Sequence, residues 1–217
     1  MSSTFWLEFG TATWETCYMV FLSGLLAVFF GFFLGAVLFI TQPKGLLAHP
    51  IFYKFFSTIA NIIRSIPFII LLVAVIPFTR FITGTSIGTT AAIVPLTIGA
   101  IPFVGRVVES AFSEVGYGLI ETGLAMGATP LQIVMRILVP EALPALIKGI
   151  TLMLIGLIGY SAMAGAIGGG GLGDLAIRYG YQRFDVAVMI YTIIILVVLV
   201  QLMQFTGDLI TKKLDHR

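Results

Sequence analysis

Residues 18–40 read YMVFLSGLLAVFFGFFLGAVLFI, and none of them is Asp, Glu, Lys or Arg. A helix crossing a hydrocarbon core needs about 20 mainly apolar residues, and a charge at mid-depth costs roughly 2.5–3.5 kcal/mol. The stretch therefore reads as a membrane span. Residues 1–18 hold no Lys or Arg and carry Glu8 and Glu15, and the apolar run is longer than the core of a cleaved signal. The span is expected to stay as an anchor.

Working outward, charges punctuate the rest of the chain. None lies between Glu15 and Lys44, Arg64 and Arg80, Arg80 and Arg106, Lys148 and Asp174, or Asp185 and Asp208. These gaps predict five spans, near Tyr18–Ile40, Thr58–Phe78, Ala91–Val108, Leu146–Ala166 and Val186–Gly207. Arg64 falls inside the second, about one turn from an end, where a long side chain can snorkel.

Composition agrees. Of 217 residues, 59% are hydrophobic and 10% charged, against about 45–50% and about 25% in soluble domains. So little charge cannot cover a water-facing surface, and so much Phe, Ile, Leu and Val excludes disorder. Mean hydropathy is +1.08. A net charge of +2 gives no footing for nucleic acid. The single cysteine, Cys17, excludes a disulfide framework within the chain and a zinc cluster of cysteines, and reads as a small apolar residue.

Positive charge sets the orientation. Lys44, Lys54, Arg64, Arg106, Arg136, Lys148, Lys212, Lys213 and Arg217 belong to one set of connections, and Arg80, Arg178 and Arg183 to the other. The majority places the C-terminus in the cytoplasm and the N-terminus outside, as an odd number of spans requires.

Small residues let helices approach in lipid, which supplies no hydrophobic drive of its own. Gly24, Gly31 and Gly35 share a stripe of the first span. Gly149, Gly156, Gly159, Ser161, Ala162, Ala164, Gly165 and Ala166 crowd the fourth. That span either packs at the centre of a bundle or lines a passage, and both hold if two copies meet around a central path. Met163 is gap filler or a hydrophobic constriction. Pro67, Pro77, Pro95 and Pro102 break or bend the second and third spans. Broken helices are tolerated in a membrane where protein or water satisfies the freed backbone.

No Asp or Glu falls at mid-depth, where proton- and sodium-coupled transporters commonly place relays and ion ligands. No lysine stands in a G-K-[ST] context either, so any uphill transport must take its energy from a partner. Gly168, Gly170 and Gly173 match G-x-G-x-x-G, but they follow a span and not a strand, which argues for a flexible outer turn. His49 and His216 are isolated and read as solvated, and Tyr160, Tyr179, Tyr181 and Tyr191 suit an interfacial role.

The connection from Arg106 to Lys148 is too long for a turn. It predicts a helix over Gly118–Met126 and a left-handed stop at Gly127. Thr129 is then an N-cap, Pro130 the first helical residue, and Gln132 the partner in a capping box, with the helix running to Val139. Pro140 and Pro144 punctuate the approach to the fourth span. Leu119, Ile120, Leu124, Ala125 and Met126 make the first helix apolar, so it either docks in a partner's groove or folds back on its own bundle.

Read in full, Glu121-Thr122-Gly123, three residues, Gly127, nine residues and Ile137-Leu138-Val139-Pro140 resemble the E-A-A-x3-G-x9-I-x-L-P signature of permease subunits of bacterial ATP-binding-cassette importers. Thr122 and Gly123 stand for the two alanines and Val139 for leucine. Gly123 weakens its helix by about 1 kcal/mol relative to Ala, and it also permits closer approach of a partner. The stretches 64–72 (RSIPFIILL), 159–163 (GYSAM) and 170–173 (GGLG), with the count of five spans, resemble the permease subunits of methionine importers.

The resemblance covers nearly the whole chain. It implies an all-α integral membrane protein with the type I importer permease fold, a single membrane domain over 1–217 with the shared transmembrane region at about 14–207, and a coupling loop at about 109–145. It implies a non-catalytic subunit of the inner membrane that carries methionine, in the L and D forms. The implied partners are a second copy, two ATP-binding cassette subunits that hold ATP and Mg, a periplasmic or lipid-anchored binding protein, and lipid. No cofactor or metal is expected in this chain. Coupling to the ATPase would fall to Glu121, Thr122, Gly123, Leu124, Ala125, Met126, Gly127, Ala128, Thr129, Pro130, Ile137 and Pro140. Tyr160, Ser161, Met163 and Gly165 would form the path or its gate. Another amino acid or a small polar solute as substrate, an autonomous channel or secondary transporter, and a membrane enzyme are the competing readings. A channel predicts flux from this chain alone, and an enzyme predicts converging ionisable residues, of which the sequence offers no set.

Overall fold

The computed structural model describes residues 3–214, with side chains from residue 6. Two residues of the sequence reading, His216 and Arg217, lie outside the described residues. The described chain is all helical. Helix α1 covers Ser3–Thr41, α2 Pro50–Ser65, α3 Phe68–Ala74 and α4 Ile76–Thr83. Helix α5 covers Thr89–Ser113, α6 Tyr117–Ala125, α7 Pro130–Ile133 and α8 Val139–Ala164. Helices α9, Gly171–Leu175, and α10, Val186–Leu214, complete the order.

Among the described residues four stretches are long and apolar enough to cross a membrane: Trp6–Thr41, Thr89–Ser113, Pro130–Gly169 and Val186–Leu214. The second predicted span is not one straight helix. Pro67 forces Ile66 into an extended conformation (φ −80°, ψ 124°), which ends α2, and α3 departs at 106°. Counted as one broken element, this bent pair makes a fifth span by length and composition.

Glycines set the contact between α1 and α5. A Cβ on Gly31 would sit 2.5 Å from the Cβ of Val104, and one on Gly35 2.5 Å from the Gly105 carbonyl. The backbones can touch only because both positions lack side chains. Gly24 does the same for Leu154 of α8, and Gly149 of α8 for Val107 of α5. Around these contacts Met19, Leu38, Leu96, Val104, Phe112 and Leu157 are fully buried. Helix α10 runs along α8, with Gly207 against Thr151, and keeps Ile193, Val197 and Leu202 exposed, as a lipid-facing helix should.

The expected punctuation at Pro140 and Pro144 does not end a helix. Helix α7 passes through a π turn at Val134–Leu138 directly into α8. The wider turn lets the Val139 N–H reach the Val134 carbonyl, and Pro140 then falls in the first turn of α8, where a missing donor costs little. His49 is exposed, as expected, but it also serves the fold, because its Nδ1 accepts from the Phe52 N–H at 3.3 Å and caps α2.

Candidate functional site

Between α5 and α8 the chain builds a compact knuckle from local rules. Gly127 takes φ +77°, so the Ala128 N–H donates to the Gly123 carbonyl at 3.0 Å and the Gly127 N–H to the Leu124 carbonyl at 2.9 Å. This pair of bonds is the Schellman stop, which satisfies carbonyls the ended helix leaves free. Three residues on, the Thr129 N–H donates to Gln132 Oε1 at 2.8 Å and the Gln132 N–H to Thr129 Oγ1 at 3.4 Å, completing the capping box.

The knuckle divides the two open readings of its apolar residues. Ile120, Gly123 and Ile133 are buried and Ile137 is half-buried, so one face does fold back on the bundle. A Cβ on Gly123 would meet Ile137 Cδ1 at 2.7 Å. The small residue therefore admits Ile137 of this chain rather than a partner. On the other face Glu121, Thr122, Leu124, Ala125 and Gly127 are exposed. Met126 at 82% and Leu131 at 71% exposure project furthest. Large apolar side chains held out on a capped, rigid knuckle form a ridge suited to a groove.

A second bare surface runs along α8. Leu152, Gly156, Tyr160, Met163 and Ile167 recur at helical spacing and are exposed. Nothing stands within 4 Å of a Cβ added at Gly156 or Gly159. Of the four predicted path residues, Tyr160 and Met163 share this face, while Ser161 and Gly165 turn inward. Ser161 is 2% exposed and its Oγ donates to the Ile158 carbonyl at 2.8 Å. A Cβ on Gly165 would collide with the backbone of Gly173 and the Asp174 N–H. Tyr160 stacks its ring on Phe68 of α3, centroids 4.4 Å apart and planes 11° from parallel.

That stack walls a cavity of about 230 Å³ at the break between α2 and α3, bounded also by Leu71, Phe103 and Met153, with Arg64 at its rim. Gly99 and Phe103, at the middle of α5, form its floor.

Sequence reasoning missed the polar clasp between α2 and α5. The Arg106 guanidinium donates to Glu109 Oε2 at 2.6 Å, Ser57 Oγ at 2.6 Å and Asn61 Oδ1 at 2.9 Å. The Tyr53 hydroxyl donates to Glu109 Oε1 at 3.0 Å. Tyr53, Ser57 and Asn61 recur every four residues, and this polar stripe along one face of α2 was the signal that could have found it.

At the opposite end of α8 the glycine-rich turn is clamped, not flexible. Gly168, Gly170 and Gly171 all have φ between +75° and +91°. The Gly171 N–H donates to Glu15 Oε2 at 2.7 Å and the Leu172 N–H to Thr16 Oγ1 at 2.9 Å. The Gly88 N–H donates to the Gly168 carbonyl at 2.8 Å.

Residues 27–217 match the family model described as binding-protein-dependent transport system inner membrane component. The chain is 53% identical over 207 residues to a probable D-methionine transport system permease protein MetI of Vibrio cholerae, covering 95% of this chain and 92% of that one. It is 56% identical over 152 residues to the D-methionine transport system permease protein MetI of Escherichia coli K12, 70% of each chain. It superposes with a TM-score of 0.98, at 50% identity and over 100% of both chains, on a chain from an inward-facing structure of the MetNI methionine ABC transporter.

Proposed function

The chain belongs to the family of binding-protein-dependent transport system inner membrane components, and we propose that it is the permease subunit of an ATP-driven importer carrying methionine, L and D, across the inner membrane. The observation that carries this reading is the 53% identity to a D-methionine permease across 95% of the chain. As a permease it is a non-catalytic subunit, with the whole of 1–217 acting as one membrane domain and the shared transmembrane region at about 14–207. Its five spans leave the N-terminus outside and the C-terminus in the cytoplasm, where most of the Lys and Arg then lie.

The two bare surfaces receive two partners. A second copy faces the α8 stripe, so that Gly156, Tyr160 and Met163 from both chains border the path and Met163 constricts it. Ser161 and Gly165 support that path from behind. Two ATPase subunits, which hold ATP and Mg, seat the knuckle in their grooves. Glu121, Leu124, Met126 and Leu131 make the contact, Gly127, Ala128, Thr129 and Pro130 fix the shape, and Gly123, Ile137 and Pro140 join the knuckle to α8. When the ATPases close on ATP they displace the two knuckles, and because α7 runs into α8 the push reaches the path-lining helix as rigid-body motion. A binding protein delivers substrate from outside.

Proteoliposomes holding the permease with its ATPase partner test the reading. Uptake of labelled methionine is expected only with ATP and the binding protein, with unlabelled methionine competing better than other amino acids. Flux through this chain alone, or preferential competition by another amino acid, would overturn it.

A further inference from the structure

The turn that follows α1 is built as a rigid hook. The Leu47 N–H donates to the Ile40 carbonyl and the His49 N–H to the Thr41 carbonyl, both at 3.0 Å, and the Gly45 N–H to the Gln42 carbonyl at 2.8 Å. The fold is so tight that a Cβ on Gly45 would stand 2.7 Å from the Phe39 carbonyl. The last carbonyls of α1 are thereby satisfied, and Lys44 is held in the bend with its side chain exposed. Beside it lies a cavity of about 770 Å³ between the hook, the end of α5 and α6. The buried Phe39, Phe112 and Ile120 give it an apolar wall, and Gln42, Lys44 and Tyr117, which keep contact with solvent, a polar rim. Among the described residues none of these three polar side chains has a hydrogen-bond or ion-pair partner. Lys44 is the one charge in the lining. Glu114, the adjacent carboxylate in sequence, lines a different recess with Glu141 and Lys148. An apolar hollow with an unanswered cation at its rim fits an amphiphile that carries an anion. Lys44 also ends the first charge-free run, so the rim sits where hydrocarbon gives way to headgroups. The chain beyond it, at Leu47, Ile51, Phe52 and Phe55, stays exposed and apolar, a surface for acyl chains and not for water.

We infer that this cavity binds one phospholipid of net negative charge, from the leaflet on the Lys44 side, which is the cytoplasmic one in the proposed orientation. The lipid phosphate accepts from the Lys44 ammonium, the Gln42 amide and the Tyr117 hydroxyl. The first part of one acyl chain fills the apolar wall, and the rest of the lipid lies over Leu47 and Ile51. A volume of about 770 Å³ falls within the roughly 300–1,000 Å³ of ligand pockets, enough for the glycerophosphate and the start of a chain. Ile120 and Leu124 of α6 also line the cavity, so its occupant braces the knuckle against the end of α1. The charge of the membrane then sets how firmly the knuckle is held. Binding is independent of what the permease carries, and only the effect on the ATPase contact rests on the importer reading.

The test is native mass spectrometry of the complex of permease and ATPase, delipidated in detergent and titrated with phosphatidylglycerol or with phosphatidylcholine of the same acyl chains. The wild type is expected to hold one phosphatidylglycerol per permease copy and to prefer it over phosphatidylcholine by about fivefold. Lys44→Gln should abolish that preference, and Lys44→Arg should keep it. Ser113→Trp adds bulk to the lining from an exposed position at the end of α5 and should exclude both lipids. Hydrogen exchange at amides 120–124 should slow when phosphatidylglycerol is added to the wild type, and should not respond in Lys44→Gln. A lysine that merely gathers anionic lipid near the surface would not move those amides. Glycerol phosphate should fail to displace the lipid, and displacement would show that a free anion is the ligand and overturn the lipid site. Equal binding of the two lipids by the wild type, or a preference retained in Lys44→Gln, also overturns it. So does a loss of ATPase assembly in Lys44→Gln that is the same with and without phosphatidylglycerol, as when a segment of the ATPase fills the cavity. None of these readouts involves methionine. A complex that binds phosphatidylglycerol in this pattern but imports no methionine keeps the site and loses the import reading, and one that imports methionine while failing these tests loses the site alone.

Discussion

Replacing Gly127 by alanine isolates the backbone's part in the knuckle. At φ +77° an L-residue pays roughly 1–2 kcal/mol. An added Cβ would meet nothing within 4 Å, so sterics against neighbours add nothing. The alternative is to give up the two bonds donated by Gly127 and Ala128, at about 0.5–1.5 kcal/mol each, which bounds the loss at about 3 kcal/mol. A nine-residue helix such as α6 is marginal without its ends fixed, so the loss falls on the knuckle itself. One to two kcal/mol is a factor of about 5–30 in population. Hydrogen exchange at the Gly123–Gln132 amides reads this directly. The Ala128 amide should exchange about 5–30 times faster in Gly127→Ala, and Gly127→Asn should lose less because asparagine tolerates this conformation. In proteoliposomes, methionine imported per ATP hydrolysed should fall in the same order, with hydrolysis persisting. An unchanged Ala128 amide in Gly127→Ala, or an asparagine variant worse than alanine, would refute this account of the knuckle.

The clasp and the glycine seam give further expectations. Glu109→Gln removes the charge paired with Arg106 and should cost about 1.5–3 kcal/mol, against about 1 kcal/mol for Tyr53→Phe, read as thermal midpoints of the detergent-solubilised complex. Equal midpoints for the two would show that the Arg106–Glu109 pair contributes nothing beyond a neutral hydrogen bond. Gly35→Ala must push α1 away from the Gly105 carbonyl and should destabilise by about 1–3 kcal/mol or more. Gly10→Ala, with open space around it, should be neutral or gain up to about 1 kcal/mol. Indistinguishable variants would argue against close packing of α1 on α5.

What the sequence made legible follows the range of each interaction. The charge-free runs located the apolar cores of α1, α5, α8 and α10, because lipid imposes a length and a composition on every such helix. The Gly127 stop and the Thr129–Gln132 box were readable because their partners lie within five residues. Pro67 announced a break, but its 106° angle depends on how α3 rests on α5 and α8. The continuity of α7 with α8 was hidden, since Pro140 reads as a stop unless the preceding turn widens. Arg106 looked like a cytoplasmic anchor because its partners at positions 57 and 61 are 45 or more residues away. Likewise the stack of Tyr160 on Phe68 was hidden, since Phe68 belongs to a different helix, α3.

The clamp between Glu15 and Gly171 joins residues 156 positions apart. Such a contact waits until α1, α5 and α8 have all been made and brought together, since loop closure is repaid only by contacts that already exist. Until then Gly168, Gly170 and Gly171 are free to sample both signs of φ. During biogenesis the glycine run is therefore a swivel, on which α10 can search for its seat along α8. When Glu15 takes the Gly171 amide, the swivel locks. The same glycine run serves first as freedom for assembly and afterwards as a fixed turn.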